Sequence, residues 1–133
     1  MTQINNTTME NTAAFQQAIE KIRNNVKFTL EQVMGESSSE MLSEMSAIFL
    51  EDAVPLIDQI KTGYASGDFE SITMAAHALK GSSATIGLDQ FAEVCLAVET
   101  HSKQQQLAMI GDNLPALDTE YVKLHHALSA FLI

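Results

Sequence analysis

Residues 68–87 read DFESITMAAHALKGSSATIG and carry a helical pattern with a start signal and an end signal. Asp68 is a suitable N-cap, and Gly87 is the residue type that commonly ends a helix. Between them, small or apolar residues recur every three or four positions: Phe69, Ile72, Ala76, Leu79, Ser83 and Ile86. This is the period of an amphipathic helix, so the stretch predicts a helix with one face in a core.

The same period continues upstream. An apolar stripe over 15–33 predicts a helix that ends at Gly35, although Asn24-Asn25 are weak helix formers and could divide it into two. Ser37-Ser38-Ser39-Glu40 has the spacing of a capping box with Ser37 as the capping residue, and a second stripe follows over 42–60. Two helical regions therefore precede the central helix.

Downstream, an apolar stripe over 88–98 indicates another helix. Gly111-Asp112-Asn113 predicts a turn, so that Pro115 falls in the first turn of the last helix, where proline is tolerated. A stripe over 114–131 completes that helix, and no convincing period-two run occurs. The sequence thus predicts an all-α fold, an antiparallel up-down four-helix bundle with an additional N-terminal helical segment.

Composition and charge fit one helical domain and argue against several function classes. The 133 residues are 46% hydrophobic, and 7 basic against 17 acidic side chains leave a formal charge of -10. Such a surface repels phosphate backbones and anionic lipids, which argues against nucleic-acid and membrane binding. The single cysteine, Cys95, cannot form an internal disulfide, and we expect a reduced, cytoplasmic protein. We expect residues 1–12 to form a flexible polar tail and residues 13–133 to form one domain.

One histidine of the central helix departs from the apolar stripe. At 100° per residue, His77 lies roughly 135° from the middle of the stripe and therefore points away from the core. Gly81 lies one turn later on the same face, and Thr73 and Ala84 keep that face small. Lys80 places an ammonium group beside the ring. An accessible imidazole next to a cation is what phosphoryl transfer to nitrogen requires.

The segment HALKGSSATIG, residues 77–87, resembles the signature of the histidine-phosphotransfer (HPt) domain, His-x-Leu-Lys-Gly-Ser-Ser followed by a glycine. The similarity covers roughly residues 38–131. The resemblance implies the same helical bundle and a phosphorelay intermediate, whose histidine takes a phosphoryl group from the aspartate of one receiver domain and gives it to another. The implied partners are response-regulator receiver domains and hybrid sensor kinases.

The resemblance also implies roles for individual residues. His77 would accept the phosphoryl group, Lys80 would steady its charge, and Gly81 would leave room for the receiver. Ser82, about 140° round the helix from His77, would pack or bond locally. Many family members have a glutamine 22 residues after the histidine, where this chain has Glu99. A carboxylate there could orient the ring but would also stabilise the protonated ring, which cannot attack, so ring orientation and a plain solvated glutamate both stay open.

The remaining chemistry-bearing residues predict no independent catalysis. Cys95 lies on an apolar stripe and is expected to be inert, and His101, His125 and His126 are too dispersed for a metal site. We expect no metal and no cofactor, and we find no nucleotide motif, so a receiver would bring Mg²⁺ and most of the catalysis. The alternative is a helical adaptor without phosphotransfer. The chain is expected to be a free-standing monomer, or else a piece of a larger sensor kinase.

Overall fold

The computed structural model of the protein describes residues 12–133, and this part of the chain contains helices and no strands. The predicted tail over 1–12 lies, except for Thr12, outside the described residues. In chain order the helices are α1 (Ala13–Met34), α2 (Ser39–Ser66), α3 (Phe69–Thr85), α4 (Asp89–Lys103) and α5 (Leu107–Ser129).

Helices α2 to α5 form a four-helix bundle. Each packs on the next, and α5 closes the bundle by packing on α2, while α1 lies against α5. The connections between consecutive bundle helices are two or three residues long, so neighbouring helices run antiparallel. The predicted bundle with an additional N-terminal helical segment is confirmed.

All five helices contribute to one hydrophobic core. The largest fully buried apolar side chains are Leu30, Ile60, Ile72, Leu79, Ile110, Leu117, Leu124 and Leu128. Within residues 12–133, the buried polar side chains are Ser46, Ser83, Glu99 and Ser102. Glu99 alone among them is ionisable. A buried carboxylate in an apolar bundle is unusual, since burial without partners is costly, and it therefore indicates a site.

The end signals of the central helix act as the sequence predicts. The Asp68 carboxylate accepts a hydrogen bond from the Ser71 amide at 3.1 Å, and Gly87 ends the α3 segment with a φ of 85°. A side chain at Gly87 would also collide with the Thr29 hydroxyl and would lie 2.9 Å from the Asn25 carbonyl oxygen. Glycine is therefore needed both for the backbone conformation and for the close approach of α1.

Helix α1 is a single helix, so the possible division at Asn24-Asn25 does not occur. Tertiary packing outweighs the weak helix propensity there, because Val26 and Leu30 on the following turns are buried in the core.

Two predicted helix boundaries are wrong. Helix α2 is capped by Ser38, whose hydroxyl accepts from the Met41 amide, and Ser37 instead donates to the Glu31 carboxylate. Helix α5 begins at Leu107, so residues 111–113 form no turn and Pro115 lies inside the helix. Gly111 serves packing: a side chain there would come within 2.5 Å of the Tyr64 hydroxyl oxygen. The turn lies earlier, over residues 104–106.

Candidate functional site

The site lies on the hairpin of α3 and α4. His77 on α3 and Glu99 on α4 are at similar distances along the chain from Gly87. Because the two helices run antiparallel with the same rise per residue, this spacing brings both residues to one level. Nδ1 of His77 lies 2.9 Å from Oε2 of Glu99, within hydrogen-bond distance.

The two side chains differ sharply in exposure. The His77 side chain is 68% exposed and that of Glu99 is 3% exposed. The prediction that His77 points away from the core is therefore confirmed. The interpretation of Glu99 as a plain solvated glutamate is wrong, since its side chain is enclosed between α3 and α4 and contacts the ring.

Two lysines share the Glu99 carboxylate with His77. Nζ of Lys80 lies 2.8 Å from Oε1, and Nζ of Lys103 lies 3.1 Å from Oε2, the oxygen that also contacts the ring. Lys80 was predicted from the sequence, whereas Lys103 was not. The signal for Lys103 was its position four residues after Glu99, a spacing that places both on one face of α4.

The surrounding charges keep Glu99 ionised. Burial by itself raises the pKa of Glu99, but the Lys80 ammonium, the His77 ring and the Lys103 ammonium together outweigh it and lower the pKa from 4.5 to about 2. An ionised carboxylate only accepts hydrogen bonds, so Nδ1 of His77 must donate. In the neutral ring the proton is then on Nδ1, and Nε2 carries an unshared electron pair on a largely exposed side chain.

The surface beside His77 is open at Gly81. A Cβ at Gly81 would meet no atom within 4 Å beyond its chain neighbours and the nearby backbone of its own helix. Internal packing therefore does not require glycine here, although glycine weakens a helix by about 1 kcal/mol relative to alanine. Ser82 donates to the Ala78 and Leu79 carbonyl oxygens of its own helix, which confirms the predicted local bonding.

Two half-buried hydrogen bonds in series connect α3 to α4 near the site. The Thr73 hydroxyl donates to Oγ of Ser102 at 2.8 Å, and the Ser102 hydroxyl donates to the Phe69 carbonyl oxygen at 2.9 Å. Ser102 lies one turn after Glu99 on α4. These two hydrogen bonds therefore help to hold Glu99 opposite His77. The role of Ser102 was not predicted, because a serine within a helix carries no sequence signal of its hydrogen-bond partners.

The other singled-out residues lie elsewhere. Cys95 is buried, and burial raises the pKa of its thiol to about 12, which makes the thiol inert near neutral pH. Nδ1 of His101 lies 2.8 Å from Oδ1 of Asn113 on α5. His125 and His126 lie on α5 with their rings 6.4 Å apart.

Within residues 12–133, no group of three or more His, Cys, Asp and Glu side chains is arranged to hold a metal ion. In the same part of the chain, no helix combines the length and the apolar character needed to cross a membrane.

The sequence of this chain matches a known protein family. Residues 44–129 match the family model of the Hpt domain. The chain belongs to the Hpt domain family. Hpt domains are phosphocarriers that interact with receiver domains and sensor kinases. Phosphotransfer on a histidine in two-component phosphorelays, which the sequence resemblance implies, is therefore the function of the family.

Two relatives are similar in sequence to this Hpt domain protein, over different parts of its length. Sensor protein TorS of Escherichia coli K12 is 37% identical over 68 residues, which cover 51% of this chain and 7% of TorS. Histidine-containing phosphotransfer protein 1 of Arabidopsis thaliana is 24% identical over 101 residues, which cover 74% of this chain and 66% of the plant protein. The chain thus spans a small part of TorS and about two thirds of the plant protein.

Two solved structures share the fold of this Hpt domain. Histidine-containing phosphotransfer protein B (HptB) from Pseudomonas aeruginosa PAO1 has a TM-score of 0.70 at 18% identity, over 79% of this chain and 88% of HptB. MtHPt2 from Medicago truncatula has a TM-score of 0.70 at 20% identity, over 92% of this chain and 90% of MtHPt2. At these identities the likeness is evidence for the fold.

Proposed function

We propose that this protein is a phosphorelay intermediate, in which His77 accepts a phosphoryl group from the aspartate of one receiver domain and passes it to another. One observation carries the proposal: His77 is 68% exposed while its Nδ1 lies 2.9 Å from a buried carboxylate. That contact leaves Nε2 as the accessible nucleophile.

The residues of the site have distinct roles in the proposed transfer. The electron pair of Nε2 attacks phosphorus, the P–O bond to the receiver's aspartate breaks, and its electrons remain on the aspartate carboxylate. The proton stays on Nδ1, so the ring becomes positively charged next to Glu99, which stabilises that charge. Lys80 offsets the charge of the phosphoryl oxygens. Transfer to the second receiver is the same step in reverse.

The receiver contributes most of the catalysis in this proposal. The chain acts as a carrier without turnover of its own, and the receiver brings Mg²⁺ and aligns the aspartate with the ring. The proposed partners are response-regulator receivers and hybrid sensor kinases. We further propose that the chain acts as a cytoplasmic monomer with one domain over residues 13–133.

The open space over Gly81 favours phosphotransfer over a role as a helical adaptor. An adaptor gains nothing from a glycine in mid-helix beside an exposed histidine, whereas a receiver loop that reaches Nε2 needs that space. Gly81 would thus provide steric access.

Labelling by phosphorylated receivers tests the proposal. Wild-type protein incubated with a panel of ³²P-labelled receiver domains should acquire a label that is lost in acid, as expected for phosphohistidine. His77→Gln should remain folded and take no label. The matched control is His101→Gln, which changes the other histidine of the α3–α4 hairpin and should label normally. Label that persists in His77→Gln would refute the assignment.

A further inference from the structure

We infer that Lys103 is a second phosphoryl-binding residue of this site and exchanges Glu99 for the phosphoryl oxygens when His77 is phosphorylated. The inference rests on the proposed function, since it concerns the same histidine. It adds a cation from α4 to the one that α3 supplies through Lys80.

The geometry places Lys103 within reach of the ring. Nζ of Lys103 and Nδ1 of His77 contact the same atom, Oε2 of Glu99, at 3.1 Å and 2.9 Å. The distance between Nζ of Lys103 and Nδ1 of His77 therefore cannot exceed the sum of these two distances. The Lys103 side chain is 63% exposed, twice the 31% of Lys80, so surrounding atoms constrain its rotation less.

The charges of the site favour a second cation. A phosphoryl group carries about two negative charges at neutral pH. In the phosphorylated state the positively charged ring offsets the ionised Glu99, so Lys80 alone would compensate only one of the two charges. With Lys103 included, the two lysines compensate both. Two of the seven basic residues in a chain of formal charge -10 meet at this carboxylate, which concentrates the scarce positive charge beside His77.

A merely structural role is the competing explanation. Lys103 follows Glu99 by four residues on α4, and such pairs commonly stabilise a helix by a few tenths of a kcal/mol without touching a ligand. In that case Lys103 would act on His77 only through the Glu99 charge. Removing that charge separates the two explanations, because a direct contact with phosphate survives the loss of Glu99.

Phosphoramidate is a suitable probe, because this small anionic donor phosphorylates imidazole without a docked partner. Nε2 attacks its phosphorus, the P–N bond breaks, and ammonia leaves. The initial rate at His77 would be measured at about pH 8.5, where an imidazole is ordinarily neutral. The rate at the exposed His125 of the same molecule serves as the internal reference. The variants are Lys103→Ala and Lys103→Arg, each made in the wild type and in Glu99→Gln.

Lys61→Ala is the matched control, since Lys61 is also an exposed lysine in an ion pair, 2.8 Å from Asp118. We expect Lys103→Ala to slow labelling of His77 by about threefold, the usual scale for one exposed charge. Lys103→Arg should recover most of the rate, and Lys61→Ala should match the wild type. The loss should be at least as large in Glu99→Gln.

An unchanged rate in Lys103→Ala, or a loss that disappears in Glu99→Gln, would overturn the inference and leave Lys103 as a structural ion-pair partner. Failure of the proposed function gives a different result. In that case no receiver labels the wild type, whereas the dependence of phosphoramidate labelling on Lys103 is measured without any receiver.

Discussion

The Glu99→Gln variant provides a direct test of the electrostatics of the site. The substitution preserves the shape of the side chain and its ability to accept a hydrogen bond from Nδ1 of His77. It removes the negative charge that holds Lys80 and Lys103 at 2.8 and 3.1 Å. The variant therefore isolates the contribution of the charge from that of the packing.

The lowered pKa of Glu99 sets the expected size of the effect. A fall from 4.5 to about 2 corresponds to roughly 3 kcal/mol, at about 1.4 kcal/mol per pKa unit. Because the pKa is lower in the folded protein, the ionised carboxylate stabilises the fold. That contribution is complete above about pH 5 and is lost as the pH falls through 4.5 towards 2. The amide keeps part of the hydrogen bonding, so we expect Glu99→Gln to lower the free energy of unfolding by about 2 kcal/mol at neutral pH.

Urea unfolding of both proteins at about pH 7 and about pH 2.5 measures this dependence. The difference in unfolding free energy should fall to less than half its neutral value at the acidic pH, because the wild type loses the contribution and the variant has none to lose. Glu93→Gln is the matched control, since Glu93 is an exposed glutamate on the same helix. It should change stability little at either pH.

An equal difference at both pH values would refute the reasoning. It would mean that Glu99 contributes through packing and hydrogen bonds alone, and that the lysines do not hold its pKa low. A variant more stable than the wild type at neutral pH would also contradict it, because the burial penalty would then exceed the attraction of the three partners.

Substitutions at three other positions test the site and the bundle. Gly81→Gln should maintain or raise the melting temperature, since helix propensity improves by up to about 1 kcal/mol. Transfer from a phosphorylated receiver should nevertheless collapse, because the new side chain fills the space beside His77 where the receiver docks. Transfer at the wild-type rate would show that the receiver does not need this space. Lys80→Ala should slow single-turnover transfer by roughly tenfold, and Lys80→Arg should recover part of the loss. If the transfer rate of the alanine variant equals that of the wild type at low ionic strength, Lys80 does not contact the phosphoryl group. Gly111→Ala should lower the unfolding free energy by up to about 2 kcal/mol, because the collision of the methyl group with Tyr64 outweighs the roughly 1 kcal/mol that alanine adds to helix propensity, and should leave phosphoramidate labelling of His77 unchanged.

The fold was predictable where its signals are local. Asp68 and Gly87 mark the two ends of α3 in the sequence, and the structure confirms both, because a cap and a left-handed residue act within one turn of their own position. The start of α5 was not predictable in this way. Gly111 is a turn signal by itself, and its packing against Tyr64, far upstream on α2, is visible only after the helices have been placed.

The site was predictable to the extent that one helix carries it. His77, Lys80 and Gly81 share one face of α3, and helical geometry alone assigns them to that face. The environment of Glu99 depends on the packing of α3 against α4. The family resemblance implies that Glu99 stands opposite His77, but the 3% exposure of its side chain follows from how closely the helices approach. Lys103 was missed for the same reason, since its relevance depends on Glu99.

The burial of Glu99 also connects the stability of the site to its proposed chemistry. A carboxylate at 3% exposure needs cationic partners, and in the free protein Lys80 and Lys103 supply them. If these lysines turn to a phosphoryl group, Glu99 must gain another cation or become uncompensated. The ring supplies that cation, because attack through Nε2 with the proton retained on Nδ1 makes the imidazole positively charged 2.9 Å from Oε2. A neutral glutamine in place of Glu99 would not need the lysines before transfer, and it would not stabilise the charged ring afterwards. Because Glu99 is charged, the movement of the lysines to the phosphoryl group and the pairing of Glu99 with the charged ring depend on each other.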